Sequence, residues 1–449
     1  MNTNRITSIV FVPILKMVLT GVLFFVIVGC VSEKKGQNES EVYIEETEEG
    51  YRMIRNNEPY FIKGASGNAY FEELKKAGAN TIRIYDTLNL KSYLDSAETW
   101  GLAAVVDIPI PRYSPDDTLY GNPAKMDALV KNTEKFVEKY KHHPAVLYWI
   151  LGNEVYVHDM FFNDFVEGFN RMIEKVHEID PDHPISTTVS SSGLKKVFSI
   201  LVKSPDLDFI SVNSFGALND FRLDKDILFF WQKPYVLSEW GNNGPWETET
   251  TAWTAPIEET STKKAEQYKN LYIDNIQSIA DNRCLGSLAF YWGHKQERTH
   301  TWFSLFDEDG NKSQTVFVLE SLWKGTELEY RGPEIDYVLL NGKGAAESIL
   351  VNQNEIATAE LFVPKQDSLK KFSVTWEIRP ENWYYNPHDN EKKPEIVKGL
   401  ILQATKTDLR FKTPDQEGPY RLFVKVESPD GPFATANTPF YVLTPRDVP

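Results

Sequence analysis

The sequence predicts an α/β chain, a (β/α)8 TIM barrel followed by an all-β immunoglobulin-like sandwich. Three observations predict it. Short, near-continuous apolar runs alternate eight times with amphipathic stretches. Near residues 325–332 the rhythm changes to brief alternating runs broken by turns. Two of the apolar runs end in a carboxylate, at Glu154 and Glu239.

Taken in order, the first element is a targeting segment. Arg5 and Lys16 precede an apolar run over 17–29, the length of a signal-peptide core and short of a spanning helix. The run closes on Ile27, Val28, Gly29 and Cys30, which resembles a bacterial lipobox. That resemblance implies cleavage before Cys30 and a lipid on its thiol. A plain secretory signal and a membrane anchor are the alternatives. Residues 1–30 are then a lipoprotein signal and 31–41 a polar tether. The expected location is the bacterial cell envelope, lipid-anchored at the outer membrane. The second cysteine, Cys284, lies in an apolar run and is expected as a buried thiol, so no disulfide is expected.

The barrel domain is assigned to 42–328. A hairpin comes first, with alternating residues from Val42, a turn at Glu49-Gly50 and a second run from Tyr51. Strands are predicted over 60–64, 80–86, 103–108, 146–151, 184–189, 209–213, 235–239 and 285–292. Helices are predicted over 70–77, 89–100, 123–140, 161–179, 194–202, 221–230, 261–281 and 314–323. Strands apolar on both faces suit a parallel sheet. The competing open doubly wound sheet lacks support, because no glycine-rich phosphate loop occurs. The sandwich is assigned to 329–449, with strands near 349–351, 357–362, 372–378, 399–404, 420–426 and 439–442, and turns at Asn341-Gly342 and Pro429-Asp-Gly431.

Composition excludes some functions. A chain of 449 residues exceeds one usual core. The net charge of −16 argues against nucleic acid and bare anionic membranes as partners. No Gly-x-Ser-x-Gly elbow, zinc motif or nucleotide motif occurs, so neither metal nor cofactor is expected. Active sites of such barrels lie at the strand C-termini. Arg83, Asp107, Asn153, Glu154, Asn213, Glu239 and Trp292 fall at or near those ends. The longer inserts there carry Tyr113, Tyr120, Trp246, Trp253, Trp302, His294 and His300. Two carboxylates facing one sugar bond are the minimum equipment for glycoside hydrolysis.

At these motifs the chain resembles clan A glycoside hydrolases. The run from Arg55 to Gly64 is similar to the barrel entry of family 2 enzymes, and Asn80-Thr-Ile-Arg-Ile-Tyr85 to their second strand. His143-Pro-Ala-Val-Leu-Tyr-Trp-Ile-Leu-Gly-Asn-Glu154 resembles the fourth-strand acid/base motif, and Pro234-Tyr-Val-Leu-Ser-Glu239-Trp-Gly the seventh-strand nucleophile motif. The resemblance implies a retaining β-glycosidase in which Glu239 is the nucleophile, kept ionised by Arg83, and Glu154 is the acid/base with a raised pKa. It also implies that Asn153 binds the sugar 2-hydroxyl and that Trp292 is a stacking platform. Trp246, Trp302 and Tyr291 join Arg83 as further substrate contacts. In one departure, Phe215 stands where many members carry an aromatic hydroxyl that bonds the nucleophile; Tyr291, Tyr156 or water is left to supply it. A barrel followed by one sandwich resembles bacterial endo-β-glucanases. The expected substrate is therefore an extracellular polysaccharide or oligosaccharide, β-1,3-glucan first, with other surface glycan-uptake proteins as partners. A glucan transglycosylase, an exo-β-galactosidase or mannosidase, and a non-catalytic glycan-binding lipoprotein are the alternatives.

Overall fold

The computed structural model describes residues 41–111, 118–155, 163–190, 194–220, 231–277, 282–382 and 392–444. Cys30, Tyr113, Tyr156, the helix predicted over 221–230 and the end of the one predicted over 261–281 lie outside them.

Three short antiparallel strands come first: β1 (Val42–Thr47), β2 (Gly50–Arg55) and β3 (Glu58–Tyr60). They lie across the N-terminal end of the barrel. The Val42 amide donates to the Asp182 carbonyl and the Tyr51 amide to the Asn282 carbonyl, each just ahead of a barrel strand. Val42 and Met53 join the interior cluster of Ile62, Val105, Tyr148, Ile150, Phe209, Val236 and Leu288. This sheet is thus the floor of the barrel.

Eight parallel strands close the barrel: β4 (Ile62–Ser66), β5 (Thr81–Ile84), β6 (Ala103–Ile108), β7 (Val146–Leu151), β8 (Ile185–Ser190), β9 (Phe209–Asn213), β10 (Tyr235–Trp240) and β11 (Cys284–Phe290). Closure is made by β11 on β4, from Gly286 against Ile62 to Phe290 against Ser66. Every residue of β6, β7 and β10 is buried, because one face packs inward and the other under helices. The covering helices are α1 (Phe71–Lys76), α2 (Leu90–Thr99), α3 (Pro123–Tyr140), α4 (Asp164–Ile179), α5 (Leu194–Lys203), α6 (Ser261–Leu271) and α7 (Gln314–Lys324). Their starts follow capping chemistry. Asn122, with Pro123 behind it, accepts from the Lys125 amide, Asn163 from Val166 and Thr260 from Lys263.

The C-terminal part is two four-stranded sheets. One runs β12 (Tyr337–Leu340), β14 (Ile356–Phe362), β17 (Asp408–Lys412), β16 (Ile401–Ala404). The other runs β13 (Leu350–Asn352), β19 (Phe433–Leu443), β18 (Gly418–Glu427), β15 (Ser373–Pro380). Their inner faces share one core that includes Ala357, Ala359, Trp376, Leu409, Phe411, Leu422, Val424 and Phe440.

The sandwich is pinned to the barrel's C-terminal loops. The Thr435 amide donates to the Ser261 hydroxyl, and the Phe433 amide to the Lys312 carbonyl. Trp253 packs on Tyr441, and Lys425 pairs with Asp307 at 2.6 Å.

Candidate active site

The site is built around Arg83, which is fully buried at the end of β5. Its guanidinium grips Asp107 in two parallel bonds, Nε to Oδ1 at 2.9 Å and Nη2 to Oδ2 at 2.8 Å. Its remaining hydrogens reach Glu239 Oε1 (2.9 Å), Asn153 Oδ1 (2.9 Å) and Asn213 Oδ1 (3.4 Å). The cation lies over the Tyr85 ring, 4.5 Å from its centroid. Being wholly enclosed, Arg83 does not present itself to substrate, contrary to its sequence-based role as a sugar contact. It positions Asp107, Glu239, Asn153 and Asn213.

The hydroxyl that Phe215 lacks comes from Tyr85, which donates to Glu239 Oε1 at 2.9 Å. A signal existed in the sequence: Tyr85 is two residues beyond Arg83, so it faces the same side of an extended chain. Phe215 instead anchors an aromatic cluster with Phe290, Trp302 and Phe303, against which Tyr85 and Tyr291 pack.

The two asparagines are oriented by their neighbours. Asn153 Oδ1 accepts from Arg83, from the Thr188 hydroxyl (2.8 Å) and from Asn213 Nδ2 (3.2 Å). Its amide nitrogen therefore turns the other way, on a residue exposed to solvent. Asn213 Oδ1 accepts from the Ser238 hydroxyl (2.8 Å) and Arg83, so its Nδ2 donates, to Asn153 and to Glu154 Oε1 (3.2 Å). The sequence places Asn213 at a strand end without giving it a role, and Ser238 and Thr188 carry no signal there, because small polar residues at strand ends have no distinctive pattern.

Glu154 projects from a tight turn after β7. Gly152 has φ 73° and Glu154 itself φ 51°, both left-handed. A Cβ on Gly152 would lie 2.5 Å from Val155 Cγ1. The turn is held by the Glu154 amide donating to Thr188 Oγ1 at 2.5 Å. A non-glycine residue in this region costs about 1–2 kcal/mol, which the Thr188 contacts offset.

Glu239 is only 7% exposed. Burial pushes its carboxyl up to about 7, against the downward pull of Arg83 and of the Tyr85 hydrogen bond. Arg83 holds it down less than the sequence suggested, because burial outweighs its charge and the Glu154 and Asp107 carboxylates push the same way as burial.

The remaining candidates separate into two groups. Trp246, at 60% exposed, stands at the mouth, its ring edge-on to Phe215 (5.6 Å) and tilted on Phe303 (6.2 Å). A Cβ on Gly244 would meet the Trp246 ring at 2.5 Å, so only glycine admits this packing. Tyr291 is half-buried, edge-on to Phe290 at 5.4 Å. The other two tryptophans are not substrate contacts. Trp292 is fully buried, donates to the Tyr70 carbonyl at 3.1 Å and packs on Phe306 and Trp323 under the helix layer. Its platform role fails because the indole packs under α7, against Trp323 and Phe306, and is fully buried there. Trp302 is 1% exposed and ties to the Asn243 carbonyl. Tyr120 is buried against the Pro111 carbonyl. His294 and His300 line a cavity of about 240 Å³ at the sandwich junction, the His300 ring tilted on Phe423 at 4.7 Å. Cys284 is half-buried rather than buried. Among the described residues, no cluster of His, Cys, Asp and Glu is arranged to hold a metal.

With this geometry in place, similarity to known proteins is informative. Residues 93–297 match the family described as glycosyl hydrolases family 2, TIM barrel domain. A β-glucuronidase of Sus scrofa is 25% identical over 183 residues, 38% of this chain and 26% of that protein. The structure of a β-glucuronidase from Ruminococcus gnavus superposes with TM-score 0.50 at 18% identity, covering 63% of this chain and 52% of that one. A family 2 β-galacturonidase from Eisenbergiella tayi gives TM-score 0.50 at 16% identity, covering 65% and 55%. The two structures share the fold. This chain spans about a quarter of the pig enzyme and about half of the bacterial ones.

Proposed function

We propose that this chain, whose barrel is that of a clan A glycoside hydrolase of family 2 type, cleaves β-glycosidic bonds by retaining double displacement. Glu239 is the nucleophile and Glu154 the acid/base. The observation that carries this reading is one network holding both carboxylates, Glu239 through Arg83 and Tyr85, Glu154 through Asn213.

In the first step ionised Glu239 attacks the anomeric carbon while Glu154 protonates the departing oxygen. In the second, Glu154 takes a proton from water, which releases the sugar from Glu239. Arg83 and Tyr85 fix the oxygen that does not form the bond. The outward Asn153 amide is placed to donate to a sugar hydroxyl, a bond that strengthens in the transition state. Glu239→Ala is expected to lower turnover by roughly four to six orders of magnitude. Azide should restore it with an α-glycosyl azide product, whereas Glu154→Ala with azide should give the β-azide. An initial α product from the wild type, read by proton NMR, would refute both roles.

For substrate, the relatives are named for glucuronic and galacturonic acids, not glucan. The endo-β-glucanase expectation therefore gains no support, and exo action on a terminal sugar is the better reading. A panel of aryl β-glucuronide, β-galacturonide, β-glucoside and β-galactoside beside β-1,3-glucan tests it. Release of one monosaccharide supports exo action; a ladder of oligosaccharides supports endo action. Longer products than substrate would favour the transglycosylase, and binding without any product the glycan-binding lipoprotein.

Lipid attachment at Cys30 is a further part of the proposal, supported by the Ile27–Cys30 lipobox-like sequence. Cys30→Ser should move the protein from the membrane to the soluble fraction; unchanged partitioning would sink it.

A further inference from the structure

We infer that the C-terminal sandwich sets the aromatic wall of the active-site mouth, through Asn437 acting on Glu258. The inference rests on the glycosidase reading only for the purpose of the wall, not for its mechanics.

Glu258, buried at 5% exposure, sits on the loop after β10. It accepts four hydrogen bonds. Three come from the barrel: Lys264 Nζ at 2.5 Å, Thr299 Oγ1 at 2.6 Å and Thr301 Oγ1 at 2.8 Å. The fourth comes from the sandwich, Asn437 Nδ2 at 2.7 Å. Asn437 cannot present its amide the other way, because Arg421 Nη1 donates to its Oδ1 at 2.7 Å. Arg421 is in turn locked by Glu381 and donates to the Pro256 carbonyl at 2.8 Å on the same barrel loop. A buried carboxylate with four donors leaves the 299–301 segment one position to occupy.

That segment leads straight into the wall. Lys264 also holds the Thr301 carbonyl at 2.7 Å. The next residues are Trp302, which pins the Asn243 carbonyl, and Phe303. Phe303 packs on Phe215 (5.3 Å), on Phe290 (5.2 Å) and on the exposed Trp246. None of the bonds to Glu258 touches Glu154 or Glu239, so Asn437 is a positioning residue. Without its donor, Glu258 Oε2 keeps Thr299 alone, and the segment beside Trp302 and Phe303 is free to shift, taking Trp246 with it.

The test uses the full chain labelled with 5-fluorotryptophan, with the Trp246 resonance assigned by Trp246→Phe. Asn437→Ala should shift or broaden the Trp246 resonance while those of Trp149 in β7 and Trp376 in β15 stay in place. Thr301→Val removes one Glu258 bond from the barrel side and should do the same, which keeps the test open if the first variant fails to fold. With the panel glycan that the wild type cleaves fastest, KM should rise roughly three- to tenfold, the scale of one aromatic contact, with kcat within twofold. An unmoved Trp246 resonance in a folded variant overturns the inference, whatever the activity. A moved resonance in a protein that cleaves nothing upholds the coupling and fails the glycosidase reading instead.

Discussion

Arg83 faces two carboxylates, Asp107 in two bonds and Glu239 in one. Burial keeps Glu239 high, at about 7, against a guanidinium 2.9 Å away, and the Glu154 and Asp107 charges add to the rise. In the proposed mechanism the attacking form is the ionised one, so kcat/KM should fall as pH drops through about 7. Tyr85→Phe removes a bond to the ionised form and should move this acid limb to higher pH. Asp107→Asn removes a nearby negative charge that raises Glu239 and should move it lower. The same residue has a cost in stability. Its folded pKa lies above the ordinary 4.5. Folding is therefore unpenalised below about 4.5, loses stability as pH rises to 7, and carries the full penalty above that, on the order of 3 kcal/mol. Glu239→Gln should raise the thermal midpoint at pH 8 and leave it nearly unchanged at pH 4; equal shifts at both would contradict the assignment. The two glutamates were legible because each ends an apolar run. Tyr85 was quoted in a motif without its role, since a hydroxyl's target is a long-range fact that residue spacing does not contain.

Elements were legible where burial is two-sided. Val146–Leu151 is apolar throughout and Ala103–Ile108 is so except for Asp107, and their bounds coincide with prediction. Asp408–Lys412 was not anticipated because only Leu409 and Phe411 of its five residues are buried and the others are charged. Trp292 is the instructive error: a tryptophan just past a strand looks the same whether it turns into the cleft or under a helix. Its position beneath α7 predicts a structural phenotype. Trp292→Ala should destabilise by about 3–5 kcal/mol, measured by urea unfolding, and Trp292→Phe should leave KM near wild type. A raised KM in the phenylalanine variant with unchanged stability would put Trp292 back in the cleft.

At the scale of the molecule, barrel and sandwich are joined by buried polar groups. Arg421, 1% exposed, donates to the Pro256 carbonyl of the barrel and is held by Glu381, 4% exposed, within the sandwich. Arg421→Ala should therefore cost about 3–5 kcal/mol by stranding a buried carboxylate. Chemical unfolding of the wild type should give one transition by both fluorescence and circular dichroism; two separate transitions would show that the parts unfold independently. The sandwich's existence was legible from turn spacing, but its bond to the barrel at Glu258 was not, because Asn437 and Glu258 are ordinary residues far apart in the chain. Barrel closure has a further consequence, for synthesis. Strand β4 must wait for β11 before it gains its second neighbour, roughly two hundred residues later, and the floor sheet waits for Asp182 and Asn282. A ribosome paused before Cys284 holds a chain with both glutamates made and neither edge of the sheet joined. Such nascent chains should be cut readily by protease and bound by chaperones, and resistance should arrive only once Phe290 has cleared the exit tunnel.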